Sequence, residues 1–256
     1  CEVRPIESPR ELRAEALIGH CAGALFIEEL GAVDLLNRLE EARFPYAVAN
    51  LEQDLPFTST WVDHGKTTRT AVRLLAALGH RRIALLMRPP EIFFYRRALA
   101  GFRAAIEETG LPLDEGMILV NPANDSARAF QLTRDLLQSG RRPTAIVAAR
   151  DYLAAGACAA LDDAGLTVGR DVSVIGFDDL TWTHHPPFLT TFREPTAQLG
   201  AAAAEMLVER LISGWRPAEK REIEAPLVLR RSVGLCPEPV AGTMPDILLQ
   251  CHPGVP

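Results

Sequence analysis

Long apolar runs are missing from this 256-residue chain. No stretch approaches the roughly 18 consecutive apolar residues that a membrane helix needs, and the first residues are polar. Neither a membrane span nor a signal peptide is expected. Cysteine is sparse and unpatterned. Cys1, Cys21, Cys158, Cys236 and Cys251 are odd in number and widely scattered, with no C-x-x-C or Cys/His metal spacing. Reduced thiols in a cytoplasmic protein are the expectation. Positive charge is also short: Lys and Arg number 27 against 33 Asp and Glu, a formal net charge of −6. A chain that grips nucleic acid by itself carries a basic stripe to replace counterions on phosphates. The basic doublets here, such as Arg81-Arg82 and Arg141-Arg142, lie far apart at element ends.

Signatures of catalysis and cofactor binding are absent as well. No G-x-G-x-x-G follows a strand, and neither a Walker loop nor a G-x-S-x-G elbow occurs. Asp162-Asp163 and Asp178-Asp179 are adjacent carboxylates, but neighbours in sequence diverge rather than share a substrate. Neither an enzyme nor a cofactor is expected.

What the chain does have is DVSVIGFDDL, residues 171–180. Val172 to Ile175 form a short apolar, β-branched run, Gly176 punctuates it, and two carboxylates follow. That is how a buried parallel strand ends at the carboxyl edge of a sheet. Open α/β sheets bind ligands outside that edge, which makes Asp178 the first site candidate.

Strands are predicted at 22–27, 46–51, 60–63, 82–87, 117–121, 144–149, 172–177 and 189–193, with a strand-like segment at 221–232. Between them the spacing predicts helices. Ala71, Leu74, Leu75 and Leu78 fall at i, i+3, i+4 and i+7, and Gly79 closes that helix over 64–78. Others cover 8–20, 33–43, 92–109, 125–138, 151–164 and 196–212, the helix at 151–164 presenting a face of small residues. Strands alternating with helices predict an α/β fold with doubly wound, mostly parallel sheets. Residues 233–256 hold five prolines and little periodicity, and an irregular tail is expected there.

Five segments carry a family signature in order: LGHRRIAL (78–85), AGFRAAIEETGL (100–111), GLTVGRDVSVIGFDD (165–179), PFLTTFREPTAQLGAAAAEMLVERLISG (187–214) and LVLRRS (227–232). Together they resemble the effector-binding core of LacI/GalR-type transcriptional regulators, a periplasmic-binding-protein-like fold, over roughly residues 20–232. The resemblance implies two doubly wound lobes joined by three crossovers, near 88–91, 192–195 and 214–217. One lobe would comprise 1–88 plus 194–214, the other 91–191 plus 217–232. The family's helix-turn-helix headpiece, first strand and first helix have no counterpart here, and the chain opens on Cys1. It reads as a fragment whose first lobe lacks a central strand and would fray or be completed by another segment.

The same resemblance implies site residues. Asp178 matches the family's effector-contacting aspartate, and an ionised carboxylate accepts several hydrogen bonds, as a polyol edge requires. Its bland alternative is a turn or helix cap. Arg150 stands where the family has asparagine. It pairs with Asp178, binds an anionic ligand group, or faces solvent. Asp151 reads as a plain N-cap. The family's ligand-clamping arginine falls on Ala98, with Arg97 one position earlier and rotated by about 100° on the helix. Phe94 stacks on a sugar face or packs against the hinge, Asn124 replaces a common aromatic platform, and Trp182 with His184 and His185 lies in the loop after Asp178. Asp63 and His64 precede a helix, where capping is the simple reading.

The expected function is ligand sensing and homodimerisation in a transcriptional regulator, with a sugar-like effector in the interlobe cleft. DNA would be contacted only through the headpiece, and no membrane is involved. The alternative from another class is an exported solute-binding protein of a sugar transport system.

Overall fold

A computed structural model of the chain describes residues 14–27, 33–52, 55–180 and 188–237. Its α/β architecture divides into two compact units, Cys1–Asp63 with Pro195–Ala225, and His64–Glu194 with Pro226–Pro256.

The first unit holds a four-stranded sheet in the order β1-β2-β3-β9, all neighbours parallel. Its strands are β1 (Ala24–Ile27), β2 (Tyr46–Ala49), β3 (Ser59–Trp61) and β9 (Lys220–Glu222). Alternation along β2 separates its two faces. Tyr46 and Val48 pack under α2 (Val33–Glu41) with Leu35, Leu36 and Leu39, near the single turn α1 (Ala14–Leu17). Ala47 and Ala49 turn the other way, against Ala203 and Met206 of α7 (Thr196–Ser213). Alanine on both sides lets the α7 backbone lie close to the sheet. Among the described residues β1 is an edge strand, with Ile27 72% exposed.

The second unit is built on six strands in the order β10-β8-β7-β6-β4-β5. These are β4 (Ile83–Met87), β5 (Ile118–Val120), β6 (Ala145–Ala148), β7 (Ser173–Asp178), β8 (Thr190–Arg193) and β10 (Leu227–Val228). Only β10 runs antiparallel. One face packs on α5 (Ser126–Gln138) and α6 (Asp151–Asp163) through Ala84, Leu86, Ile146, Ala148 and Val174. On the other face Val147, Ile175 and Phe177 meet α3 (His64–Ala77) and α4 (Phe93–Glu108). From β4 the chain first steps outward to β5 and then returns to the other side of β4 as β6. The order therefore reverses between β4 and β6.

This division differs from the expected boundaries. The first break falls between Asp63 and His64 rather than near 88–91. The reason is packing of α3 on α4: a Cβ on Gly101 would overlap the backbone of Gly65, so the two helices cross with backbones in contact. This also accounts for the glycine of the AGF segment. The strand-like stretch 221–232 is two strands in two sheets, β9 on β3 and β10 on β8, separated at Pro226. The small face of α6 meets both layers: Leu153 and Ala157 pack in the core with Ile146, Ala148 and Val174 of the sheet. Gly156 meets the α5 backbone at Ser126 and Phe130. The predicted tail lies outside the described residues from 238 onward.

Candidate functional site

Five parallel strands of the second unit deliver their carboxyl ends to one edge, and several polar side chains gather there. β7 ends at Asp178, whose φ of 128° lies in a region that favours glycine. Residues held there cost about 1–3 kcal/mol and persist where the surroundings over-determine them. The surroundings here are specific. Arg150, at the N-cap of α6, donates from Nη1 to Asp178 Oδ1, and its Nη1 lies 3.4 Å from Glu194 Oε2. The other Asp178 oxygen accepts from the Asp151 amide at 3.4 Å. Asp178 is therefore an ion-pair partner and also caps α6 from outside.

Aromatic rings form the other wall. The Arg150 guanidinium lies 4.5 Å from the centroid of Phe94 and 5.4 Å from that of Phe177. His64, buried at the start of α3, sits 5.0 Å from Phe94 and 4.5 Å from Phe177. Burial works against the charge on Arg150, but Asp178 and then Glu194 outweigh it and hold the guanidinium firmly protonated. Burial likewise raises the Asp178 carboxyl, and the Arg150 charge pulls part of that shift back.

Asp151 is not the plain N-cap of the sequence reading. Arg150 holds the cap position, without a side-chain hydrogen bond, and Asp151 is turned inward and only 1% exposed. Its Oδ1 accepts from Thr191 Oγ1 at 2.7 Å and its Oδ2 from the Leu180 amide at 2.9 Å. It thus ties β8 and the loop after β7 to the start of α6. Gly176 is required beneath it, since a Cβ there would strike the Asp151 carboxylate. Burial pushes the Asp151 carboxyl up to about 6, against the hydrogen bonds from Thr191 and Leu180. Asp179 diverges from Asp178, as neighbours in sequence should, and pairs with Arg193 at 2.7 Å and Arg230 at 2.6 Å.

Of the candidates from sequence, Asp178, Arg150 and Phe94 come together. Arg97 is half-buried on the same helix as Phe94, and Ala98 faces a small cavity shared with His64 and Thr67. Asn124 is exposed in the bend before α5, next to Asp125, which caps that helix through the Arg128 amide. Trp182, His184 and His185 lie outside the described residues. Sequence reasoning passed over Glu194 and the stacking role of His64. Glu194 follows β8 immediately, so the rule that singled out Asp178 could have found it. His64 gave no signal, because its stacking depends on three separate elements.

Residues 72–233 match the family model for a periplasmic binding protein-like domain. The chain is 34% identical over 203 residues to the HTH-type transcriptional repressor PurR of Salmonella arizonae, covering 78% of this chain and 59% of the repressor. It thus spans less than two thirds of the length of the curated relatives it matches. A regulatory protein of the LacI family from Chloroflexus aggregans shares the fold with a TM-score of 0.76 and 31% identity, over 85% of this chain and 78% of that one. A LacI-family transcriptional regulator from Enterococcus faecium with bound ribose gives a TM-score of 0.70 and 25% identity, over 82% and 80%. These relatives are transcriptional regulators rather than enzymes, and they do not favour the transport-protein alternative. By its matched domain, its fold and its similarity to these regulators, the chain belongs to the LacI family of transcriptional regulators, as their periplasmic-binding-protein-like effector domain.

Proposed function

We propose that this domain binds a small-molecule effector, a sugar or related metabolite, at the carboxyl edge of the second unit's sheet and thereby modulates DNA binding. DNA contact would belong to a headpiece outside these residues, and the working form would be a cytoplasmic homodimer without catalytic turnover. The observation that carries the reading is Asp178: a carboxylate on a strained backbone, at the end of a parallel strand, paired with a guanidinium that itself lies over aromatic rings. Such a constellation supplies acceptors for ligand hydroxyl or N–H groups and a flat apolar wall. The ribose bound by the Enterococcus faecium relative supports a sugar-like ligand. An effector shifts DNA affinity only through its differential affinity for two states, typically about 1–3 kcal/mol.

The test is a thermal-shift screen of sugars, nucleosides and phosphorylated sugars, followed by calorimetry on each hit. Asp178→Asn should weaken a hit by about tenfold or more, the order expected for a charge-assisted hydrogen bond. A hit whose affinity ignores that substitution, or a screen with no hit on folded protein, would remove the reading. Sedimentation at several concentrations checks the dimer independently.

A further inference from the structure

Arg88, directly after β4, makes no hydrogen bond or ion pair among the described residues, and its Nε is buried. The residue is only half-buried, so Nε alone is withdrawn from water without an acceptor, and a guanidinium N–H left in that state favours gaining one. Its neighbour across the sheet is Arg150. β4 and β6 run parallel in the register Leu86↔Ala148, and the Ala149 amide still bonds to Leu86 O at 2.9 Å. Arg88 and Arg150 therefore leave adjacent strands at matching positions. Arg150 uses only Nη1 on its carboxylates, so Nε and Nη2 have no hydrogen-bond partner among the described residues. Both positive charges act on the phenol of Tyr152, whose hydroxyl is buried beside Tyr95.

The place in the fold matters as much as the charges. β4 and β6 flank the point where strand order reverses, and in open α/β sheets ligands settle in the crevice at that point. Two long helices begin there, α4 after β4 and α6 after β6; the α4 N-cap makes no side-chain hydrogen bond, whereas the first amide of α6, that of Asp151, already donates to Asp178. The first-turn amides of Phe93, Phe94 and Tyr152 have no hydrogen-bond partner among the described residues. Helix starts with open amides favour negative charge.

We propose that Arg88 and Arg150 together form an anion subsite at the β4/β6 switch point, so that the effector carries a phosphoryl or carboxylate group. This rests on the effector reading above and narrows its ligand class. Arg150 serves as a bridge, neutralised on one side by Asp178 and Glu194 and open on the other. Arg88 supplies the uncompensated charge that the ligand anion meets.

The experiment is calorimetric titration of the full 256-residue chain with inorganic phosphate, a hexose monophosphate and the parent hexose. Ionic strength is held constant with chloride. Phosphate and the monophosphate should bind, the monophosphate more tightly than the hexose. Arg88→Gln should weaken the monophosphate by about tenfold or more while leaving the hexose unchanged. Arg88 has no hydrogen-bond or ion-pair partner to lose among the described residues, so that variant should fold as the wild type does, which circular dichroism checks. Binding of the hexose without any preference for the monophosphate overturns the anion subsite and leaves the effector reading standing. Phosphate binding that ignores Arg88→Gln places the anion elsewhere and overturns it too. No binding by any member of the wider screen removes both.

Discussion

Arg88 and Arg150 close adjacent parallel strands, yet among the described residues only Arg150 has carboxylates to meet: Asp178, to which its Nη1 donates, and Glu194 at 3.4 Å. The asymmetry decides what each substitution does. Arg150 is held by the fold and its loss unbalances buried charge, whereas Arg88 makes no hydrogen bond or ion pair among the described residues, so its loss should cost the fold little.

Replacing Arg150 by Ala leaves Asp178 and Glu194 without their guanidinium, with side chains only 9% and 14% exposed. Breaking a buried ion pair from one side costs about 3–5 kcal/mol. Urea unfolding should show a loss of that order for Arg150→Ala. The double variant Arg150→Met with Asp178→Asn should recover a large part of it. Equal losses in both variants would mean that packing, and not charge, is what Arg150 provides.

Asp151 should make stability depend on pH in a defined window. Its carboxyl stands at about 6 in the fold against 3.8 as a free side chain. Below the lower value both states are protonated and nothing changes. Between them the folded state holds a proton that the unfolded chain has released, so stability falls as pH rises. Above about 6 the penalty is complete, at most about 3 kcal/mol at 1.36 kcal/mol per unit. Melting curves of wild type and Asp151→Asn from pH 4 to 7 should diverge in slope across that window, with the variant flatter. Parallel slopes would assign the pH response to other groups.

In the first unit, Arg210 on α7 is 4% exposed and donates to Arg216 O at 2.6 Å. It also reaches Glu40 at 3.4 Å, and its guanidinium lies 5.4 Å from the Tyr46 ring centroid. Burial raises the Tyr46 phenol further from ionisation, and the Glu40 charge adds to that. Arg210→Ala should destabilise this unit by about 3 kcal/mol, since the Glu40 carboxylate and the Arg216 carbonyl both lose their donor. Arg210→Lys should recover less than half, because an ammonium cannot serve two acceptors in a planar fork. Fluorescence of Trp61 and Trp215, both in the first unit, follows the change in denaturant.

Element order was legible because each strand and helix has a local cause. The β-branched run Val172–Ile175, apolar but for Ser173, is too short for a helix and stops at Gly176, and β7 begins within it. Leu74, Leu75 and Leu78 recur at helical spacing, and α3 follows. The carboxylate at the end of β7 could be singled out for the same reason, since position in a parallel strand predicts the sheet edge it reaches.

Partnership was not legible. Chain position says that Arg150 precedes a helix; it does not say that Asp178 and Glu194 arrive from two other strands to receive it. Asp151 shows this most clearly. By sequence it is an N-cap, and in the fold it is a buried acceptor for Thr191 and Leu180, because β8 enters the sheet beside β7 and brings Thr191 against it. The break at Asp63 was hidden in the same way. It depends on Gly65 meeting Gly101 across two helices, a contact between residues far apart in the chain. The sequence alone determined which segments are strands and helices, because periodicity and chain-breaking residues act over a few neighbours. Only the tertiary structure decided which charges meet, because strand order sets that, and strand order is chosen by the burial of whole faces.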